Sequence, residues 1–343
     1  MKLLLAIIIY VFSVLFVNGN SISDISKSRI DFFISDESPV FKGFRDLCIN
    51  NNEVFITDNP KSRVFVYNFK KNKLVFNRQI GKHGQGPGDL SLPSYLSISN
   101  KIVVVKDQIG FSFFSLDGEY ISRFRYFGLS NPFVFNNKRI YTINSSIKES
   151  HLIDSFSMEG KVVKKIGKKY LKLDLSNNRI KKNFPFFYNG IIVNKKKFLI
   201  YINKNFGDIL LFNIMGNLKK KRSTKEFLDK KGILRFNNNI KTIAKGIAVK
   251  NFRLTIKPLF RDAYIGGTNL YLLSNGLKEI KIYIFDNRNL DFKKEIRLHS
   301  SNEDEFLYYG DIVETISEIK FYFIVAGEDF FVARFSIKNE LIK

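Results

Sequence analysis

Six times along the chain a short apolar run ends on a turn residue, and this recurrence limits the fold more than any other feature. The runs are Val54–Thr57 before Asp58, Ile102–Lys106 before Asp107, Ile140–Ile143 before Asn144, Phe198–Ile202 before Asn203, Leu270–Leu273 before Ser274, and Lys320–Ala326 before Gly327. Further short runs follow each one around polar turns, as Phe111–Leu116 and Tyr120–Arg125 do around Asp117-Gly118. A unit of three or four short strands cannot cover its own apolar faces, so it must stack on copies of itself. The turn residues recur at intervals from 37 residues (Asp107 to Asn144) to 71 residues (Asn203 to Ser274), against about 40–50 for one propeller blade. The long intervals contain basic, polar inserts near 168–183 and 223–250. These read as loops or short helices, with two turns over Thr224–Lys231, and no long stretch shows a helical period.

The pattern predicts an all-β, six-bladed β-propeller. Its sixth unit has Lys320–Ala326 and Asp329–Ile337 but no outer strand, while Arg29–Ile34 is an unassigned strand near the start. Pairing the two closes the ring, so that the last blade is completed by an N-terminal strand. Strands hidden in the 223–250 insert would raise the count to seven. A pair of β-sandwiches fits less well, because one repeat phase persists along the chain.

One connection stands apart. Gly81-Lys82-His83-Gly84-Gln85-Gly86-Pro87-Gly88-Asp89-Leu90 separates the strand-like Leu74–Ile80 from Tyr95–Ser99. Glycine reaches backbone angles closed to other residues and proline fixes one, so this is a sharply folded connection. The dinucleotide fingerprint and the P-loop need other spacings and a following helix, and neither is met here.

With these residues the chain resembles the bacterial six-bladed β-propeller proteins related to NHL repeats, of the TolB-like superfamily. The resemblance lies in RQIGKHGQGPGDLSLPSYLSIS followed by NKIVVVKDQIGFSFFSLDGEYISRF, within residues 45–127. In that family G-x-x-G-x-G-P-G-[DE]-[FL] leads into a blade. The resemblance implies the propeller fold and an envelope or extracellular setting, and no particular activity.

Residues 1–19 read as a secretory signal: Lys2, the apolar run Leu3–Val17, then small residues before Asn20. The run is short for a spanning helix of about 20 residues, so an uncleaved anchor is the second choice. Residues 20–343 form the propeller domain, with no further transmembrane helix expected after signal removal. Cys48 is the only cysteine, which excludes an intrachain disulfide. The chain holds 36 Phe and no Trp, so aromatic packing rests on Phe and Tyr. Its net charge is +24, and loss of residues 1–19 with Lys2 leaves +23. Such charge favours nucleic acid, phospholipid headgroups, lipopolysaccharide or acidic glycans, although a solvated basic surface is the stronger expectation. It is spread along the chain rather than gathered with stacking aromatics, and no intracellular nucleic-acid partner is expected.

In a propeller the connections between blades and the turns after second strands share one face. That face would carry Asp58, Asp107, Asn144, Asn203 and the loop residues His83, Gln85, Gly86, Pro87 and Gly88. Asp and Asn also bind their own backbone in turns, and this is the stronger expectation for the four blade-end residues. Three histidines, His83, His151 and His299, lie on separate units. A zinc site needs three or four converging ligands, which their positions do not favour. No cofactor is expected, a divalent metal being the one exception considered, and no nucleophile motif or carboxylate pair marks a catalytic residue. The expectation is an exported module that recognises a protein or an acidic envelope glycan through loops on one face. The alternative is a metal-dependent propeller lyase or lactonase.

Overall fold

The computed structural model describes residues 23–24, 29–34, 42–126, 128, 132–169, 187–195, 198–213, 215–228, 230–248, 258–276, 279–299, 306–315, 317–326 and 330–338. The expected leader, residues 1–19, and the insert beyond Lys169 lie outside the described residues.

The first blade is β3 (Phe44–Asn50), β4 (Glu53–Asp58), β5 (Arg63–Lys70) and β6 (Lys73–Ile80). The second is β7 (Tyr95–Ser99) to β10 (Tyr120–Arg125), with β8 (Ile102–Lys106) and β9 (Gly110–Ser115) between. The third runs β11 (Val134–Asn136), β12 (Arg139–Ile143), β13 (His151–Ser157) and β14 (Val162–Lys168). The fourth runs β15 (Gly190–Lys195), β16 (Phe198–Asn203), β17 (Asp208–Asn213) and β18 (Leu218–Ser223). The fifth runs β19 (Phe260–Gly266), β20 (Asn269–Ser274), β21 (Glu279–Asp286) and β22 (Phe292–His299). The sixth has β23 (Phe306–Glu314), β24 (Glu318–Ala326) and β25 (Phe330–Lys338). Each blade is an antiparallel meander in chain order.

The first strands form the inner ring. Each touches the first strands of both neighbours, from β3 to β7 around to β23 and back to β3. Second and third strands are apolar on both faces, as Val103-Val104-Val105 and Ile200-Tyr201-Ile202 illustrate, because each blade is covered on both sides. Six hydrophobic clusters result, one at each blade interface. Phenylalanine does the work of the missing tryptophan: Phe111 meets Phe133 edge-on at 4.9 Å between the second and third blades.

Closure follows the sequence expectation. The strand β2 (Ile30–Ile34) pairs antiparallel with β25, Phe32 opposite Val332, and completes the sixth blade. Its end also pairs in parallel with β6, Phe33 opposite Lys73, which fuses the sixth and first blades into one eight-stranded sheet. A shorter strand, β1 (Ser23–Asp24), adds in parallel to the outer edge of the fifth blade.

The 223–250 insert departs from expectation. After a short 3₁₀ turn at Lys225–Phe227 it forms a helix, α1 (Lys230–Ala248), and its described part contains no strand beyond β18. The apolar residues Ile233, Phe236, Ile240, Ile243 and Ile247 do recur at helical spacing. Gly232, Gly246 and the run Asn237–Asn239 are weak helix formers and hide that period. Packing decides the outcome: Ile233 and Phe236 lie against the core between the fourth and fifth blades.

Phe32 is 4% exposed inside the closing interface and Phe33 beside it is 50% exposed. Phe32→Ala should cost about 3 kcal/mol of stability and Phe33→Ala under about 1 kcal/mol, measured by urea unfolding. Equal losses would mean that β2 does not bear the closure.

Candidate functional site

Connections between blades and the turns after second strands do share one face, and α1 lies on it. Arg235 of α1 donates to the Asn275 carbonyl at 3.3 Å and Asn239 to the Asn205 carbonyl at 3.3 Å, bridging the turns of the fifth and fourth blades.

The Gly81–Leu90 loop is folded back on itself. Leu90 N–H donates to Lys82 and Gly84 N–H to Leu90, while the Asp89 carboxylate accepts Gly86 N–H at 3.0 Å. Leu90 is buried beneath Gly81, where an added Cβ would stand 2.6 Å from its side chain at φ +71°. At Gly84 a Cβ would stand 2.2 Å from the Asp89 carboxylate. The glycines are therefore required by close packing of this loop. Outside contacts hold it as well: His83 Nδ1 lies 3.1 Å from Ser62 Oγ, and Arg123 Nη2 donates to the Asp89 carbonyl. His83, Gln85 and Pro87 remain exposed, whereas Gly86 and Gly88 are half-buried.

The blade-end residues form a repeated corner. Asp58 accepts the Lys61 N–H in its own turn and the Lys42 N–H of the chain entering the blade, at 3.2 and 2.9 Å. Asp107 accepts Ile109 and Gly110 N–H at 2.9 and 2.8 Å, and its other oxygen accepts Ser91 N–H at 2.9 Å. Asn203 accepts Asn205 and Phe206 N–H and donates to the Phe187 carbonyl at 2.8 Å. Asn144 accepts Ser146 N–H at 2.9 Å and donates to Asp154 at 2.7 Å. All four are buried on different blades, so the fold brings them to one face and not to one point.

A second group was not singled out from the sequence. A channel of about 400 Å³ runs between the first strands, and Asp46, Asp262 and Asp311 line it. Each sits at a break in the ladder: register shifts lie between Phe44 and Leu47, Phe260 and Asp262, and Leu307 and Gly310. Bulges of this kind re-aim side chains. Each Asp accepts the N–H of the next residue: Leu47 at 3.1 Å, Ala263 at 2.9 Å and Ile312 at 2.7 Å. Two also stitch neighbouring blades, since Asp46 accepts Leu96 N–H at 2.8 Å and Asp311 accepts Ile49 N–H at 2.7 Å. Asp262 accepts the Tyr264 hydroxyl at 3.2 Å, and that hydroxyl also reaches the Gly310 carbonyl of the sixth blade. The signal available in sequence was the repeat Phe44-Arg45-Asp46 and Phe260-Arg261-Asp262, each opening a first strand.

The channel walls crowd these groups even where solvent enters. Burial pushes the Asp311 carboxyl up to about 7 against the two N–H donors that favour its anion. Burial raises Asp46 too, and the nearby Asp262 and Asp311 carboxyls add to it. Asp262 is raised by burial and held back chiefly by the Lys204 ammonium. Lys204 is itself lowered by burial. Groups perturbed together in a cavity mark a candidate site. The arrangement can exchange protons and present a polar, partly neutralised lining.

The histidines stay apart. His83 is on the loop, His151 is held between Glu149 at 3.2 Å and Asp154 at 2.5 Å, and His299 ends β22. Among the described residues no three His, Cys, Asp or Glu side chains converge as a metal site requires.

Comparison with known proteins agrees with the architecture. Residues 34–150 match a family described as a 6-bladed beta-propeller. A solved exported-protein candidate from Bacteroides fragilis aligns over 93% of this chain and 100% of its own, at 14% identity and a TM-score of 0.53. The WD40 domain of Pan2 from Neurospora crassa aligns over 92% of this chain and 97% of its own, at 9% identity and a TM-score of 0.50. At these identities the likeness is one of fold. No curated protein matches the chain. The chain is a six-bladed β-propeller, and no helix among the described residues is long and apolar enough to cross a membrane.

Asp107→Ala would strand several N–H groups and the Arg123 guanidinium 3.3 Å away. It should destabilise the fold by about 3 kcal/mol in urea unfolding. A second expectation concerns pH. An unfolded aspartate titrates near about 3.9. Between that value and about 7, folded Asp311 holds a proton that the unfolded chain releases. Its contribution to stability is therefore greatest below about pH 4 and declines as pH rises through about 7. The melting temperature of Asp311→Asn minus that of the wild type should climb from about pH 4.5 to about pH 7.5. A level difference across that range would show that the carboxyl is not shifted.

Proposed function

We propose that the chain is an exported binding module of the NHL-related, TolB-like kind, recognising a protein or an acidic envelope glycan on its loop face. The carrying observation is the anchored Gly81–Leu90 loop. Its backbone is pinned by Asp89 and Arg123 and its His83 side chain by Ser62, while Gln85 and Pro87 stand exposed at its tip. Loops held in one conformation lose little freedom on binding, so a rigid ring that presents them favours recognition. The corners at Asp58, Asp107 and Asn203 extend the same anchoring around the face. Their polar atoms are engaged by backbone groups, which favours the loop tip for contact with a ligand. Export is supported by the leader-like residues 1–19 and by the fold shared with the B. fragilis exported-protein candidate.

The test is thermal melting of residues 20–343 with acidic polysaccharides, peptides, sugars and divalent metals, with and without a chelator. A ligand at a hundredfold excess over its dissociation constant adds about 2.7 kcal/mol. For a ligand so found, Gln85→Ala should weaken binding about tenfold and barely alter melting of the free protein. Loss of stability on chelation, restored by one metal, would replace this reading with the metal-dependent enzyme.

A further inference from the structure

We propose that the groove between the third and fourth blades, with the open edge of the third blade beside it, docks an extended acidic and apolar segment of a partner protein. The surface lies along the outer rim and meets the loop face at Glu149 and Ser150.

Side chains bridge the rim between the first and second blades and the rim between the fourth and fifth. Arg78 of the first blade donates to the Leu116 carbonyl in the second at 3.0 Å and pairs with Glu53 at 2.5 Å. Arg222 donates to the Leu290 carbonyl at 2.9 Å, and Phe227 stacks on Phe292 at 4.6 Å. Between the third and fourth blades a groove of about 800 Å³ remains. Gly167 and Gly216 bring no side chain into it, Phe212 forms its floor, and Met215 and Leu218 stand at its lip, 67% and 53% exposed. Flexible methionine suits a surface that must adapt to an incoming side chain.

The edge next to it is available to a strand. Among the described residues β14 pairs only with β13, and Val162 and Val163 at its start are 54% and 45% exposed. The chain itself demonstrates strand addition at this rim, since β1 lies parallel on β22, with Ser23 opposite Ile296 and Asp24 opposite Arg297. β2 occupies the edges of the sixth and first blades in the same manner. A peptide that adds a strand gains main-chain hydrogen bonds, and a neighbouring pocket reads its side chains.

Charge selects the occupant. Lys165, Lys168 and Lys221 border the groove; Lys165 pairs with the partly exposed Glu149 at 3.0 Å, and Lys221 with Asp208 at 3.6 Å. Exposed pairs of this kind exchange readily. Edge lysines deter neutral and basic strands, including a second copy of a chain with net charge +24. The same lysines favour a strand that carries carboxylates.

The probe is a fluorescent peptide alternating glutamate and leucine, compared by anisotropy with one alternating lysine and leucine. The glutamate peptide should bind at least about tenfold more tightly. Met215→Asp with Leu218→Asp, and separately Lys165→Glu with Lys221→Glu, should each weaken it about tenfold, while Leu234→Asp on exposed α1 changes nothing. All five positions are solvent-facing, and circular dichroism with melting verifies that the variants fold. Equal binding of both peptides, no binding up to about 1 mM, or groove variants that bind as wild type would each overturn the proposal. So would preference for phosphatidylglycerol vesicles lost in Met215→Asp with Leu218→Asp, which assigns the groove to a lipid surface. A dimer in light scattering that the same variant dissolves would assign it to a second copy.

Discussion

A stack of sheets arranged radially has two loose ends, and everything else here depends on the strand that joins them. Ile30–Ile34 pairs with β25 on one side and reaches β6 on the other. Without it the sixth blade would have three strands, and the core shared with the first blade would lose Phe32. Hydrogen bonds set the position of this strand, and apolar burial supplies most of its stabilisation. The inner ring then fixes the channel, because six first strands in mutual contact leave one opening of defined width.

Polar residues divide into two kinds within this frame. Those after the second strands are consumed locally: Asp58, Asp107 and Asn203 each tie a turn to the chain entering the same blade. Those at the bulges of the first strands look inward. Asp46 and Asp311 tie one blade to the next and still face a cavity, at the cost of keeping carboxyls where water is scarce. Rigidity of the loop face and proton affinity of the channel thus follow from one economy of hydrogen bonds.

The fold was largely legible because its signal is local and repeated. Alternation within strands, turn residues after them and Gly118 and Gly160 in the outer turns mark the blades, and the unassigned Arg29–Ile34 run marks the closure. α1 was not legible, since its period is interrupted by glycines and asparagines and becomes stable only by packing on the neighbouring core. The placement of Asp58, Asp107, Asn144 and Asn203 followed from the repeat. The channel carboxyls did not, because a bulge, and not strand alternation, turns them inward. The paired Phe-Arg-Asp openings at 44–46 and 260–262 were the available clue. The groove between the third and fourth blades was hidden for another reason: it depends on contact between blades, where Phe212 of the fourth packs under Gly167 of the third.

Closure by the first strand also imposes an order of events. Ile30 finds Arg334 across some 300 residues of intervening chain, among the longest loops this polypeptide can close, and such contacts form late. A chain delivered from its N-terminus presents β2 long before β25, the strand it must meet. Until the final hairpin emerges, the edges of β25 and β6 have no strand between them. The ring therefore cannot close before β25 is present, and β2 must wait for it while five blades are made.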